Sequence, residues 1–157
     1  MNIEIKISGL SDVEKVNVFR DDENRPETAQ KTEPWAIENA AGKVVGVGVP
    51  IINKAFYFDD VPEDDKEMNW DDAMAFAKER GRELPTKREL MLCYFFKDEI
   101  NAIAEAAGHP GFLSGWIWSS TEYNTTNAWN VGFNSGYVTY TGKYFTAYLV
   151  VRPVAAL

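Results

Sequence analysis

Carboxylates are missing from the end of this chain. Residues 123–157 contain no Asp or Glu, and their only charges are Lys143 and Arg152. A high-affinity calcium site built from hard anionic oxygens is therefore not expected there. There is one cysteine, Cys93, so no intrachain disulfide can form. The sole histidine, His109, lies in the turn sequence Gly108-His109-Pro110-Gly111 with no Ser or Cys motif beside it, which argues against nucleophilic catalysis. No apolar run approaches the roughly 18 residues of a membrane span, and no basic stripe accompanies the net charge of −8. The first 122 residues hold all 24 acids against 14 bases. A body of that charge repels phosphate backbones, which makes nucleic acid a poor partner. No metal-ligand cluster, phosphate-binding loop or Gly-x-Gly-x-x-Gly occurs, so no cofactor is expected.

What fills the acid-free segment is equally distinctive. Residues 123–148 hold Tyr123, Tyr137, Tyr140, Tyr144 and Tyr148, five of the seven tyrosines, together with Asn124, Asn127, Asn130, Asn134, Ser135 and five threonines. Binding loops use this composition, because Tyr supplies contact area at low entropy cost and small polar residues adapt their hydrogen bonds. An antiparallel sheet with a Thr/Tyr-rich solvent face has the same composition. Both readings stand on composition alone.

The chain length suits one domain, and hydrophobic content of 45% with five tryptophans argues against disorder. Met1 leads into Asn2-Ile3-Glu4-Ile5-Lys6-Ile7, whose alternation predicts a strand over residues 3–7 rather than a signal peptide. Residues 13–19 can pair with it as a hairpin, and residues 21–34 read as a polar loop broken by Pro26 and Pro34. Residues 44–52 and 55–58 predict a buried hairpin. The acidic run over residues 59–67 lacks the spacing of a calcium loop and reads as a solvated turn.

Asn69 caps a helix predicted over residues 70–80, with Trp70, Ala73, Met74 and Ala77 on one apolar face. Thr86-Lys87-Arg88-Glu89 is a capping box that opens a second helix, expected to bury Leu90, Met91, Cys93, Tyr94 and Phe95. A further helical piece covers residues 98–107 and stops at Gly108. Beyond it Trp116 and Trp118 alternate, as do Trp129, Val131 and Phe133, and residues 148–154 form a last strand. Strands, helices, then strands again make the fold class α+β. Ser119-Ser120-Thr121 lacks a partner base and reads as a hydrogen-bonded turn. Glu122 either bonds that turn's amides or meets ligand.

Several pieces line up as one pattern: Trp70-Asp71-Asp72-Ala73, Leu84-Pro85-Thr86-Lys87-Arg88-Glu89-Leu90, Trp118-Ser119-Ser120-Thr121-Glu122-Tyr123, Ala128-Trp129-x-Val131-x-Phe133-x-x-Gly136-x-Val138, and Val151-Arg152-Pro153-Val154. The pattern resembles the Lcl-type C-type-lectin-like domain, also called the Fibrobacter major paralogous domain. It covers residues 44–157 and leaves residues 1–43 as N-terminal strands and a polar linker. Where family members often carry a cysteine pair, this chain has Ala77 and Pro153, so that disulfide is absent.

Within that group the chain resembles the variable proteins of diversity-generating retroelements, in which adenine changes scatter Asn codons over a C-terminal segment, here about residues 118–148. The resemblance implies a ligand-binding display protein, not an enzyme, recognising a protein or glycan on another surface and carried on a virion or bacterial cell surface. Trp129, Val131, Phe133 and Val138 would face inward. The ligand would meet Tyr123, Asn124, Asn127, Asn130, Asn134, Ser135, Tyr137, Thr139, Tyr140, Tyr144, Thr146 and Tyr148. The alternatives are an adhesive or structural module of fixed specificity, and a degenerate enzyme of the formylglycine-generating type, whose reactive cysteine pair this chain lacks.

Overall fold

Two helix starts are written locally in the sequence, and they organise the fold. In the computed structural model, which describes residues 3–4, 17–18 and 31–157, the Asn69 side chain accepts the Asp72 N–H at 2.8 Å and opens α1, Trp70–Glu79. The Thr86 hydroxyl accepts the Glu89 N–H at 3.1 Å while Glu89 reaches back to the Thr86 N–H, which opens α2, Lys87–Phe95. α3, Lys97–Ala106, follows after Phe96. Lys54 joins this corner to a sheet, its Nζ lying 2.5 Å from Glu83 and 3.0 Å from Glu89. Burial alone would lower the Lys54 pKa, but its hydrogen bonds to the two glutamates outweigh that and raise it. The stabilisation is fully present below the unfolded lysine pKa and is lost as pH climbs through the raised folded value.

The chain divides into two units, Met1–Lys31 and Thr32–Leu157. In the first, β1 (Ile3–Glu4) pairs antiparallel with β2 (Asn17–Val18), which is where the predicted hairpin can be checked. The rest of that hairpin and residues 21–30 lie outside the described residues. In the second unit β3 (Trp35–Glu38) pairs antiparallel with β4 (Val44–Val49). The Trp35 ring occupies the space a Gly48 Cβ would need, so a larger residue there would have to displace that ring. β4 stops short of residue 52, because Pro50 opens a 3-10 turn over Pro50–Ile52. β5 (Lys54–Tyr57) returns along β4, and β10 (Ala155–Ala156) adds to β5, giving the sheet order β10-β5-β4-β3.

The other sheet has the order β8-β7-β6-β9: β6 (Trp116–Glu122), β7 (Asn127–Gly132) and β8 (Val138–Gly142) form an antiparallel meander, and β9 (Leu149–Val150) joins β6 in parallel. Both of its faces are covered. Ile117 and Val131 pack with Leu90, Cys93 and Ile100 of α2 and α3, and Phe133, just beyond β7, joins them. Trp118 and Ala128 pack with Trp70, Ala73 and Ala77 of α1. The architecture is mixed α+β, with three helices and two such sheets in the second unit. Among the described residues no helix is long and apolar enough to cross a membrane.

Two expectations about α2 need correction. Met91 is 41% exposed and Phe95 79%. Leu90 and Cys93 set the buried stripe, and Met91 and Phe95 are each turned about 100° or more away from it at 3.6 residues per turn. Cys93 itself is fully buried, and burial, aided by the Glu89 charge, pushes its pKa up to about 12. The folded protein should leave a thiol reagent unreacted at pH 8 and take up one equivalent when unfolded in urea; stoichiometric labelling of the native state would contradict this burial.

Candidate functional site

The β6–β7 hairpin is fixed by side chains before any surface is displayed. The Ser119 hydroxyl donates to the Trp129 carbonyl at 2.6 Å and accepts the Thr121 N–H at 3.2 Å. The Trp70 indole donates to the Ser119 carbonyl at 2.8 Å, and the Thr121 hydroxyl accepts the Lys87 N–H at 2.9 Å. Ser119 and Thr121 therefore tie the strand to the starts of α1 and α2; residues 119–121 are hydrogen-bonded as expected but belong to β6, at its register irregularity, rather than to a turn. At the tip, Asn124 Oδ1 accepts the backbone N–H groups of Thr126 (3.0 Å) and Asn127 (2.8 Å), an Asx-type closure.

Three aromatic rings stand on this scaffold. Trp129 and Tyr140 are directly opposed in β7 and β8, on the face that carries Val131 and Val138 but nearer the hairpin tip. Tyr123 and Tyr140 stack in parallel, centroids 3.8 Å apart and 1° between planes. Each meets Trp129 edge-on, at 5.3 and 5.5 Å. The Lys87 ammonium lies 4.2 Å from the Trp129 ring centre, within cation–π range, and no carboxylate among the described residues pairs with it. Tyr123 and Tyr140 remain 47% and 45% exposed. The adjacent Tyr140 phenol raises the Tyr123 phenol pKa. Sequence composition pointed to both tyrosines, whereas Lys87 was visible only as a helix-start residue.

The twelve expected contact residues do not form one surface. Tyr123, Asn124, Asn127 and Tyr140 gather at the hairpin tip; Asn127 is half-buried and Thr139 likewise. Asn134, Ser135 and Tyr137 sit at the opposite end of β7, about 17 Å away at 3.3 Å per residue. There Asn134 accepts the Gly115 N–H, Ser135 accepts the Tyr137 N–H, and Tyr137 is 70% exposed. Tyr144, Thr146 and Tyr148 lie on the β8–β9 connection, anchored by Phe145, which packs on the Trp118 cluster. Tyr144 is 80% exposed, and Thr146 rims a groove of about 540 Å³ beside α1 with Asn69, Asp72 and Phe76.

Asn130 corrects the expectation outright. It is 1% exposed, and its Nδ2 donates to the Thr141 hydroxyl at 2.9 Å. Alternation along β7 was expected to separate core from solvent, but this sheet is buried on both faces, so a residue opposite to Val131 is also interior. Trp129 departs in the other direction: it is only half-buried and belongs to the exposed aromatic group.

Three further ion pairs lie in the second unit. Glu122, expected to bond amides or ligand, lies 3.2 Å from Lys143, whose Nζ also donates to the Thr125 carbonyl and lies 4.5 Å from the Trp70 ring centre. The acidic turn is solvated as expected at Asp59, Glu63, Asp64 and Glu67, while Asp60 pairs with Arg82 at 2.6 Å and the half-exposed Asp65 with Arg152 at 2.5 Å. His109 stacks on Phe58 with centroids 4.5 Å apart, a packing position. Among the described residues no group of three His, Cys, Asp or Glu side chains is placed to hold a metal. Chelator should therefore leave the thermal midpoint unchanged; a fall of more than about 5 °C would reveal metal linkage of roughly 1 kcal/mol or more. No protein-family model matches the chain, and no curated protein matches it.

Proposed function

We propose that the chain is a C-type-lectin-like display protein whose C-terminal hairpin recognises a protein or glycan on another surface. The observation that carries this reading is the exposed Tyr123–Tyr140 stack standing on Trp129 with Lys87 above it. Rigid amphipathic rings held by a fixed scaffold lose little entropy on binding and dominate interface energetics. The motif resemblance to the Lcl-type domain supports the fold, as does the return of β10 to pair with β5. The adenine-reachable residues of the segment support a retroelement-diversified role, with variation expressed at Tyr123, Asn124, Tyr137, Tyr140, Tyr144, Thr146 and Tyr148, all exposed. Binding rather than catalysis is supported by the inaccessible, high-pKa thiol of Cys93 and by the structural use of Ser119 and Thr121.

Two measurements test this. The neighbouring DNA should encode a reverse transcriptase and a near-copy of the 3′ coding sequence. A glycan array and a library of bacterial surface proteins should yield a ligand whose affinity falls about 30-fold in Tyr140→Ala, the loss of roughly 2 kcal/mol expected at a central contact tyrosine. Stability should fall by about 1–3 kcal/mol, the worth of the two aromatic contacts that Tyr140 makes. A ligand that binds Tyr140→Ala as well as the parent would move the site elsewhere.

A further inference from the structure

The edges of the two sheets are treated differently. β9 and β10 are edge strands of two residues each, and β3 ends in Glu38 at a register irregularity between Ile37 and Glu38. Short length, a bulge and a charge are the ordinary ways of blunting an edge. β8 has none of them. It runs five residues, Val138-Thr139-Tyr140-Thr141-Gly142, without proline or charge, in unbroken register with β7.

Its unused hydrogen-bonding groups have a definite pattern. The Gly132 N–H donates to the Tyr137 carbonyl at 2.8 Å, and the Lys143 N–H to the Thr126 carbonyl at 2.9 Å. Alternation between these points turns the backbone groups of Thr139 and Thr141 toward β7 and those of Val138, Tyr140 and Gly142 away from it. Among the described residues, the Gly142 carbonyl alone of these groups is otherwise engaged, accepting the Phe145 N–H at 3.0 Å, and it keeps a second lone pair. The outward residues are spaced symmetrically about Tyr140.

We propose that β8 is a self-association edge, at which two copies of the chain pair antiparallel about a two-fold axis at Tyr140. In that register Tyr140 faces Tyr140 of the second copy, and Val138 faces Gly142. The Tyr140 pair exchanges both of its N–H···O=C bonds, and each Gly142 N–H meets a Val138 carbonyl, with the Val138 N–H left to the second lone pair of the Gly142 carbonyl. Charge favours the same choice. A molecule of net charge −8 repels its copy nearly everywhere, but no acid follows Glu122 and β8 is uncharged. At each end of the seam Tyr137, 70% exposed when alone, comes opposite Lys143 of the second copy. The sheet β8-β7-β6-β9 becomes continuous across the dimer, with two aromatic groups side by side.

Sedimentation velocity of the full chain, with no ligand present, should show a monomer–dimer equilibrium with micromolar dissociation, as a small interface of this kind gives. Tyr140→Pro removes an outward N–H that β7 does not use and should weaken the dimer about tenfold or more, since two bonds at the axis are lost. The register has its own test. Tyr140→Cys, oxidised with diamide, should form a covalent dimer, because opposed hydrogen-bonded residues have Cα atoms about 5.5 Å apart, within disulfide reach. Tyr137→Cys should not, and Cys93 is buried in either variant. A chain that stays monomeric into the hundreds of micromolar overturns the proposal. So does a dimer in which Tyr137→Cys cross-links as fast as Tyr140→Cys. None of these readouts depends on ligand, so display function and self-association stand or fall separately.

Discussion

Replacing Phe133 by Ala should destabilise the protein by about 3–5 kcal/mol, the cost of deleting a buried aromatic ring and leaving a cavity. Phe133 is fully buried, meets Tyr94 edge-on at 5.9 Å, and joins the cluster that α2 and α3 form over the sheet. Its backbone bonds, from its N–H to the Gly115 carbonyl and from Lys97 Nζ to its own carbonyl, survive the substitution. The effect therefore isolates the ring. In a domain of this size the thermal midpoint should fall by roughly 6–20 °C. Tyr137→Ala, four residues away in sequence and largely exposed, should stay within about 0.5 kcal/mol of the parent. Urea unfolding of the two variants measures the contrast directly. Equal losses would mean that the 133–137 turn is a single packed unit and that Tyr137 is not displayed.

That contrast marks how far the sequence could be read. Helix starts were legible because capping is local: Asn69 with Asp72, and Thr86 with Glu89, lie within one turn. The α+β order was legible because the hydrophobic period changes after Gly111. Burial by face was not. Alternation tells which residues of β7 share a side, but it does not tell that α1 covers one side and α2 the other. Alternation alone therefore predicts Asn130 in solvent and Trp129 in the core, the reverse of what their environments show. On α2 the same gap makes the exposed Met91 and Phe95 look interior. The tyrosines of the candidate site could be found from composition, since no acid and few competing side chains surround them. Lys87 above Trp129 could not, because the contact spans 42 positions and depends on where the Thr121 hydroxyl receives the start of α2. Which glutamate or aspartate an arginine meets is equally invisible in sequence.

Arg152 is the largest such case, and its replacement should be nearly as damaging as that of Phe133. Its guanidinium is buried, lies 4.9 Å from the Phe112 ring centre and makes four hydrogen bonds. Nε donates to the Phe112 carbonyl at 2.7 Å, Nη1 to the Val151 carbonyl at 3.0 Å, and the two terminal nitrogens fork onto Asp65 at 2.5 and 2.8 Å. Breaking a fully buried ion pair costs about 3–5 kcal/mol, mostly from the charge left behind. Here the Asp65 side chain is 48% exposed and can be hydrated again, so Arg152→Met should cost about 3 kcal/mol, chiefly through the Phe112 and Val151 carbonyls that lose their donor. Asp65→Asn should then cost less than Arg152→Met, because the two carbonyls stay satisfied and the asparagine oxygen still accepts from the guanidinium, although that buried cation loses its counter-charge. Arg152→Lys should fall between them: an ammonium keeps the charge but cannot satisfy both carbonyls and the carboxylate fork. Urea midpoints of the three variants give the order. If Asp65→Asn proved as costly as Arg152→Met, the energy would reside in the ion pair rather than in the carbonyls. The acidic turn at residues 59–67 would then be a structural clamp on the strand leading to β10.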